Sequence, residues 1–267
     1  MGGLLIVNSR SGNDRPSADD LVAEASARGI DVYVLAPGDD LETVAREAEA
    51  DALGMAGGDG SLGVVAQVAI ERGLPFICIP FGTRNHFARD LGLDRNDAIA
   101  ALAAFGSGRE LLIDVGRIGE RVFLNNVSFG VYARLVHRRE THRRRGDALA
   151  RLRALWLTAR DRHPEPLVID GRPVEARVVL VANNAYDLEV FSVGERGRLD
   201  AGKLHAYLAE GWQPRAWDER AGRSFRIERA GGGQLRAAID GEPSVHASPV
   251  ELRVDPLALR ILMPPET

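Results

Sequence analysis

The run Met55-Ala56-Gly57-Gly58-Asp59-Gly60-Ser61-Leu62-Gly63 places three glycines, a carboxylate and a hydroxyl where a short apolar strand hands over to an apolar helix. Glycine lets the backbone approach a ligand closely and take positive φ. The helix that follows offers unpaired N–H groups and the positive end of its dipole, which together seat phosphate. Asp59 repels a phosphate directly, so its chemistry there is that of a magnesium partner or a proton acceptor. A tight turn with no ligand matches the same short motif, and the rest of the chain has to separate the two readings.

Three further polar runs have the composition of a site. Asn8-Ser9-Arg10-Ser11-Gly12-Asn13 follows the apolar Leu4–Val7, and Pro80-Phe81-Gly82-Thr83-Arg84-Asn85-His86-Phe87-Ala88-Arg89-Asp90 follows Pro75–Ile79. Thr83 and Asn85 carry short polar groups able to bond phosphate or to cap a helix starting near Phe87. His86 suits a ligand, a base or an ordinary solvated residue of a first helical turn. Asp240-Gly241-Glu242 presents two carboxylates on a dipeptide that is also a strong hairpin signal.

These runs need a scaffold, and periodicity supplies one. Strands are expected at Leu4–Val7, Asp31–Leu35, Ala52–Met55 and Pro75–Pro80. Helices are expected at Ala18–Arg28, Leu41–Ala50, after residue 61, and over Asp94–Phe105. Strands alternating with helices argue for a parallel sheet covered on both faces, with ligands at the carboxyl ends of its strands. The turns at 8–13, 57–61 and 81–86 all fall there. From Leu111 the texture changes to short strands: Leu111–Ile118 paired as a hairpin with Arg121–Gly130, then Leu167–Ile169, Ala176–Ala182, Lys203–Leu208, Ser224–Glu228, Leu235–Ile239 and Val250–Val254. That pattern predicts an α/β domain with a parallel sheet over 1–108 and a β-rich antiparallel domain over 109–267. A helical insert over 138–163 interrupts the second domain. Its arginines, among them Arg143, Arg144 and Arg145, surround Leu149, Leu152 and Trp156. Such a helix either lies on an anionic membrane surface or packs its apolar side on its own domain.

With 267 residues the chain has the length for a sizeable core, and 45% hydrophobic with 27% charged residues is the balance of a soluble globular protein. A net charge of −4 carries no global basic signal for nucleic acid. The lone cysteine, Cys78, sits in an apolar run, which excludes an intrachain disulfide and points to a core residue in a reducing compartment. No run approaches the roughly 20 apolar residues of a membrane span, and no basic segment precedes Leu4. A cytoplasmic protein is expected, either free or peripheral to the inner face of the membrane.

Taken in order, the motifs resemble one family, the soluble lipid kinases of the diacylglycerol kinase catalytic-domain type, which includes bacterial diacylglycerol kinases and sphingosine kinases. Asn8-Ser9-Arg10-Ser11-Gly12 is similar to its N-P-x-S-G loop, with Ser9 in place of proline. Gly57-Gly58-Asp59-Gly60-Ser61 is similar to G-G-D-G-T, Pro80 to Ala88 to P-x-G-T-x-N-D-F-A, and Asp240-Gly241-Glu242 to the D-G-E near the family's C-terminus. The resemblance implies an NAD kinase/diacylglycerol kinase-like α/β domain, a β-rich lipid or acceptor domain, and an active site in the cleft between them. It implies transfer of the ATP γ-phosphoryl group to a lipid hydroxyl with Mg2+, as in phospholipid biosynthesis, with a diacylglycerol-like acceptor met at a membrane surface. By position, Asn8, Ser9, Arg10, Ser11, Gly12, Gly57, Gly58, Gly60, Ser61, Gly82, Thr83 and Asn85 would hold the nucleotide. Asp59 and Asp114 would serve the metal, and Asp240 or Glu242 would take the proton, with Asp59 also in the catalytic set. A homodimer is left open.

Three positions depart from the family pattern. His86 stands where an aspartate is expected, with Asp90 one turn further on. Ala201-Gly202-Lys203-Leu204 stands for a D-G-x-L tied to a structural metal in some members, with Asp200 one place early. Ala36-Pro37-Gly38 stands where a nucleotide-binding threonine is common. Two other functions follow from these departures and from related folds: a nucleotide-binding member without turnover, or a kinase of a soluble alcohol or NAD.

Overall fold

The computed structural model describes residues 2–11, 16–130, 133, 166–176, 178–189, 192–193, 195–209 and 218–265. The expected insert at 138–163 and Gly12 lie outside the described residues. The chain forms two units, Met1–Val115 with Pro256–Thr267, and Gly116–Asp255.

In the first unit, β1 (Gly3–Val7), β2 (Asp31–Val34), β3 (Ala52–Gly57) and β4 (Phe76–Pro80) are hydrogen-bonded in the order β2-β1-β3-β4. All three pairings are parallel. β3 and β4 are buried along their whole length, which is why their sequences run apolar without alternation. The helices start where the sequence provides caps. Ser17 and Asp20 form a capping box at α1 (Ala18–Ala27), and the Asp40 side chain accepts from the Thr43 N–H at α2 (Leu41–Glu47). α3 (Asp59–Arg72) ends on Gly73 in the left-handed conformation, φ 66°. α4 (His86–Asp90) is a single short helix.

The helix expected over Asp94–Phe105 is instead two short ones, α5 (Ala98–Ala101) and α6 (Ala104–Ser107). Asp94 turns its side chain onto the Asn96 N–H, and Asp97 then caps Ala100, so helical pairing starts only after Asp97. Phe105, which follows α5, lays its ring over β1 and β3. A Cβ at Gly3 or Gly54 would come within 2.6 or 2.4 Å of it, so glycine in these strands makes room for the aromatic ring. Cys78 is buried, as read from the sequence.

The second unit is antiparallel. β7 (Asn126–Gly130), β10 (Val178–Asn183), β13 (Leu204–Ala209), β14 (Asp218–Gly222), β16 (Gln234–Ile239) and β17 (Glu242–Ala247) form a six-stranded sheet ordered β14-β13-β10-β7-β16-β17. Opposite it, β15 (Ser224–Arg229) pairs with β8 (Leu167–Ile169), which pairs with β9 (Arg172–Val174). Alternate residues from both sheets, among them Val127, Phe129, Val179, Val181, Ile169, Phe225, Ile227 and Leu252, form one core. A further ribbon joins β11 (Leu188–Glu189) to β12 (Ser192–Val193).

Two features differ from the sequence reading. β5 (Arg109–Ile118) does make a hairpin with β6 (Arg121–Phe123), but the chain then leaves it, and β7 joins the six-stranded sheet. The strand expected at Val250–Val254 continues as β18 (Val250–Met263), and its end runs parallel to β4 at Ile261↔Phe76. The last residues therefore return to the first unit, and the division falls after Val115 and again after Asp255 rather than once at 108. Leu259, Ile261 and Leu262 are buried there; their apolar run carries no mark of which sheet it completes.

Candidate active site

The first unit gathers three loops at the carboxyl ends of β1, β3 and β4. β3 ends at Gly57, Gly58 is the N-cap of α3 in extended conformation (φ −81°), and Asp59 is the first helical residue. No side chain caps α3; the Ser61 N–H donates to the Gly58 carbonyl at 2.9 Å, and the N–H groups of Asp59 and Gly60 before it are the ones an anion at this helix start would meet. A Cβ built on Gly58 meets nothing within 4 Å. The glycine is therefore required neither by its φ nor by a neighbour on that side, and the open space is what a phosphate in contact with the backbone needs.

The Pro80–Asn85 loop closes on this one. A Cβ at Gly82 would lie 2.7 Å from the Gly58 Cα and 2.8 Å from the Asn85 Oδ1, so only glycine lets the two loops touch. Asn85 is buried with φ 49°, a left-handed conformation that Asn tolerates better than most residues. Its Oδ1 accepts from the Gly82 N–H at 2.7 Å and its Nδ2 donates to the Arg95 carbonyl at 3.1 Å. Asn85 therefore shapes the loop, while Thr83 and Arg84 point outward. Neither end of the Asn85 amide caps α4; the cap is Asp59, whose carboxylate accepts from the Phe87 N–H at 3.1 Å and the His86 N–H at 3.4 Å. At β1, the Asn8 Oδ1 accepts from the Arg10 N–H at 3.2 Å, and the Asn8 Nδ2 donates to the Ser61 Oγ at 3.4 Å. Ser9 and Arg10 are exposed.

The structure thus brings together Asn8, Gly57, Gly58, Asp59, Ser61, Gly82 and Asn85. Asp114 is fully buried and its Oδ1 accepts from the N–H of Leu257, a left-handed residue of β18 with φ 54°. Asp90 is salt-bridged to Arg89, Nη2 to Oδ1 at 3.0 Å. Among the described residues no three His, Cys, Asp or Glu side chains converge on a common metal position. Magnesium keeps waters and substrate phosphates as ligands and needs only one or two carboxylates. Asp59, with Ser61 beside it in the same turn, is an oxygen donor set of that kind.

His86 is half-buried at the start of α4. Burial lowers its pKa from the ordinary value, Arg89 and Arg84 act in the same direction, and Asp59 and Asp90 oppose them. The sign follows from linkage. The unfolded chain takes up its proton first, so the stability held by a neutral His86 is complete above about pH 6.5. It is lost progressively as pH falls from there toward the lowered folded value. His86→Gln is expected to flatten the fall of the denaturation midpoint between pH 7 and pH 5; equal slopes in variant and wild type would show that His86 does not carry it.

In the second unit Asp240 (φ 47°) and Gly241 (φ 85°) form the two-residue loop joining Ile239 to its partner Glu242, a type I′ hairpin. The expected turn and the presented carboxylate are both there, with a brace that side-chain patterns do not reveal. The Asp240 carboxylate accepts from the N–H groups of Leu124 and Asn125 at 2.8 Å and of Asn126 at 3.0 Å. Glu242, first in β17, is exposed. Asn125, Asn183, Asn184 and Arg196, all buried, were not foreseen as parts of a site. The asparagine pairs at 125–126 and 183–184, at the start of β7 and the end of β10, were the available signal.

An α/β unit with a glycine-lined strand-to-helix loop and an antiparallel unit that carries the Asp240-Gly241-Glu242 hairpin are the two parts that the comparisons with known proteins bear on. Residues 3–118 match the model of the diacylglycerol kinase catalytic domain, so the family read from the motifs is borne out over that span. The chain is 30% identical over 134 residues to a probable lipid kinase YegS-like protein of Klebsiella pneumoniae (strain 342), covering 48% of this chain and 44% of that one. It is 34% identical over 107 residues to a diacylglycerol kinase of Mycobacterium tuberculosis (strain ATCC 25618 / H37Rv), covering 38% of this chain and 35% of that one. The chain thus spans less than half the length of these curated relatives. The fold is similar to the crystal structure of a diacylglycerol kinase from Bacillus anthracis str. Sterne, with a TM-score of 0.70 at 20% identity over 99% of this chain and 97% of that one. Among the described residues no helix is long and apolar enough to cross a membrane.

Proposed function

We propose that the protein is an ATP-dependent lipid kinase that phosphorylates the hydroxyl of a diacylglycerol-like acceptor at the cytoplasmic face of a membrane. The observation that carries this reading is the Gly58 loop: uncapped, open on the side of the absent Cβ, and locked by Gly82. Asn8, Ser9, Arg10, Ser11, Gly12, Gly57, Gly58, Gly60, Ser61, Gly82 and Thr83 are proposed to hold the nucleotide, and Asn85 to shape its loop. Bound with the nucleotide, Mg2+ would neutralise phosphate charge; Asp59 and Asp114 are the carboxylates proposed to share it, each already accepting backbone N–H groups, and Asp59 is preferred because it stands in the glycine loop itself.

In the transfer the acceptor oxygen bonds to the γ-phosphorus, the bond to the β-γ bridging oxygen breaks, and ADP leaves. Positioning and charge neutralisation do most of this work. The acceptor proton goes to a carboxylate. Asp240 has three N–H groups on its two oxygens, while Glu242 is exposed, which favours Glu242 as the base and Asp240 as its anchor.

The test is ATP turnover with magnesium against diacylglycerol, a sphingoid base, a polyprenol, glycerol and NAD. Phosphorylation of a lipid supports the reading. Turnover confined to glycerol or NAD makes this a kinase of soluble acceptors, and ATP binding without turnover makes it a nucleotide-binding member of the family.

A further inference from the structure

Arg196 is only 3% exposed, and burying a guanidinium is costly unless its donors and its charge are both answered. Its donors are answered locally. Nη1 donates to the Leu124 carbonyl at 2.7 Å and to the Asn183 carbonyl at 2.9 Å, and Nη2 donates to the Asn125 Oδ1 at 2.9 Å. Its Cζ lies 5.7 Å from the centroid of the Tyr186 ring, whose hydroxyl accepts from the Asn126 Nδ2 at 3.0 Å. Residues 124–126 are therefore gripped by the arginine through a carbonyl and a side-chain oxygen, and they present their N–H groups to the Asp240 carboxylate.

A cation thus faces the acceptor groups of one short segment, and an anion faces its donors. Hydrogen bonds linked in this way polarise one another in a low-dielectric interior, so each charge strengthens the hold of the other. The Asp240 carboxylate in turn fixes the two-residue loop whose next residue is Glu242. We propose that Arg196 is a positioning residue for the acceptor base, acting through the 124–126 segment and Asp240 to set the place of the Glu242 carboxylate. This rests on the kinase reading above. All of these groups belong to the second unit, whereas the proposed nucleotide loops belong to the first.

The test uses two full-length variants: Arg196→Lys, which keeps the charge and loses the planar fork, and Arg196→Met, which loses both. Amide hydrogen exchange at Leu124, Asn125 and Asn126 is measured beside steady-state kinetics with ATP and the accepted lipid. Exchange at these amides is expected to rise at least tenfold or so in both variants, with β13 amides unchanged. We expect kcat to fall about tenfold in the lysine variant and about 100-fold in the methionine variant, the scale of a misplaced reacting group. KM for ATP should stay within about twofold, because this network is built from residues of the second unit and the proposed nucleotide loops from residues of the first; a purely structural role would lower thermal stability and leave kcat per folded enzyme unchanged. Unchanged kcat in the lysine variant, or unchanged exchange at residues 124–126, overturns the proposal. If the methionine variant does not fold, the lysine variant decides alone. If wild type transfers no phosphate to any acceptor, the kinase reading fails and the exchange data still decide whether Arg196 holds the segment.

Discussion

Glu242→Gln is expected to lower lipid phosphorylation by about 10²- to 10⁴-fold, the usual contribution of a general base, and to leave the thermal midpoint near that of wild type. The side chain is exposed at the first residue of β17, so its isosteric amide disturbs little packing. Asp240→Asn should behave differently. Two carboxylate oxygens accept three backbone N–H groups there; an amide keeps one acceptor and points its NH2 at a donor. A loss of about 1–3 kcal/mol of stability follows, the scale of breaking charged hydrogen bonds and stranding a donor. The residue itself remains tolerable at φ 47° because Asn, like Asp, accepts the left-handed region. Activity of Asp240→Asn should fall together with its stability. Activity retained in Glu242→Gln and abolished in a fully stable Asp240→Asn would exchange the two roles.

The second large effect concerns two glycines in contact. Gly82→Ala is expected to destabilise the first unit by about 1–3 kcal/mol, as overpacking does, and to reduce ATP affinity strongly. The new methyl would meet backbone, the Gly58 Cα at 2.7 Å and the Gly57 carbonyl at 3.2 Å, and neither can swing aside like a flexible side chain. Gly58→Ala is the informative partner. Its φ of −81° suits alanine and its Cβ meets nothing within 4 Å, so folding and melting temperature should be unaffected. Its ATP dissociation constant should nevertheless rise, because the methyl would occupy the space proposed for phosphate. Calorimetric titration of both variants with ATP and magnesium checks this. Wild-type affinity in Gly58→Ala would remove the Gly58 loop as the phosphate seat.

The order of elements in the first unit was legible because each signal is local. Fully buried strands such as β3 and β4 must be apolar throughout, helices start at Ser17 and Asp40 because those side chains cap, and α3 stops at Gly73 because glycine takes positive φ. The glycine and carboxylate motifs were legible for the same reason, and those of the first unit lie within the span that matches the diacylglycerol kinase catalytic domain. Where a local signal was ambiguous the reading failed: Asp94 and Asp97 both look like helix starts, and only the second is one.

What the sequence determined by itself, then, is the alternation that builds the parallel sheet and the motifs whose span, residues 3–118, matches the diacylglycerol kinase catalytic domain. Tertiary structure alone decided what the carboxylates do. Asp59 spans 27 and 28 residues to cap α4, and Asp240 spans 114 to 116 residues to hold the 124–126 segment. Their partners are backbone N–H groups, which every residue but proline possesses and no composition marks. Strand order likewise decided that the end of β18 lies beside β4, since an apolar strand fits many sheets and only the packed chain selects one.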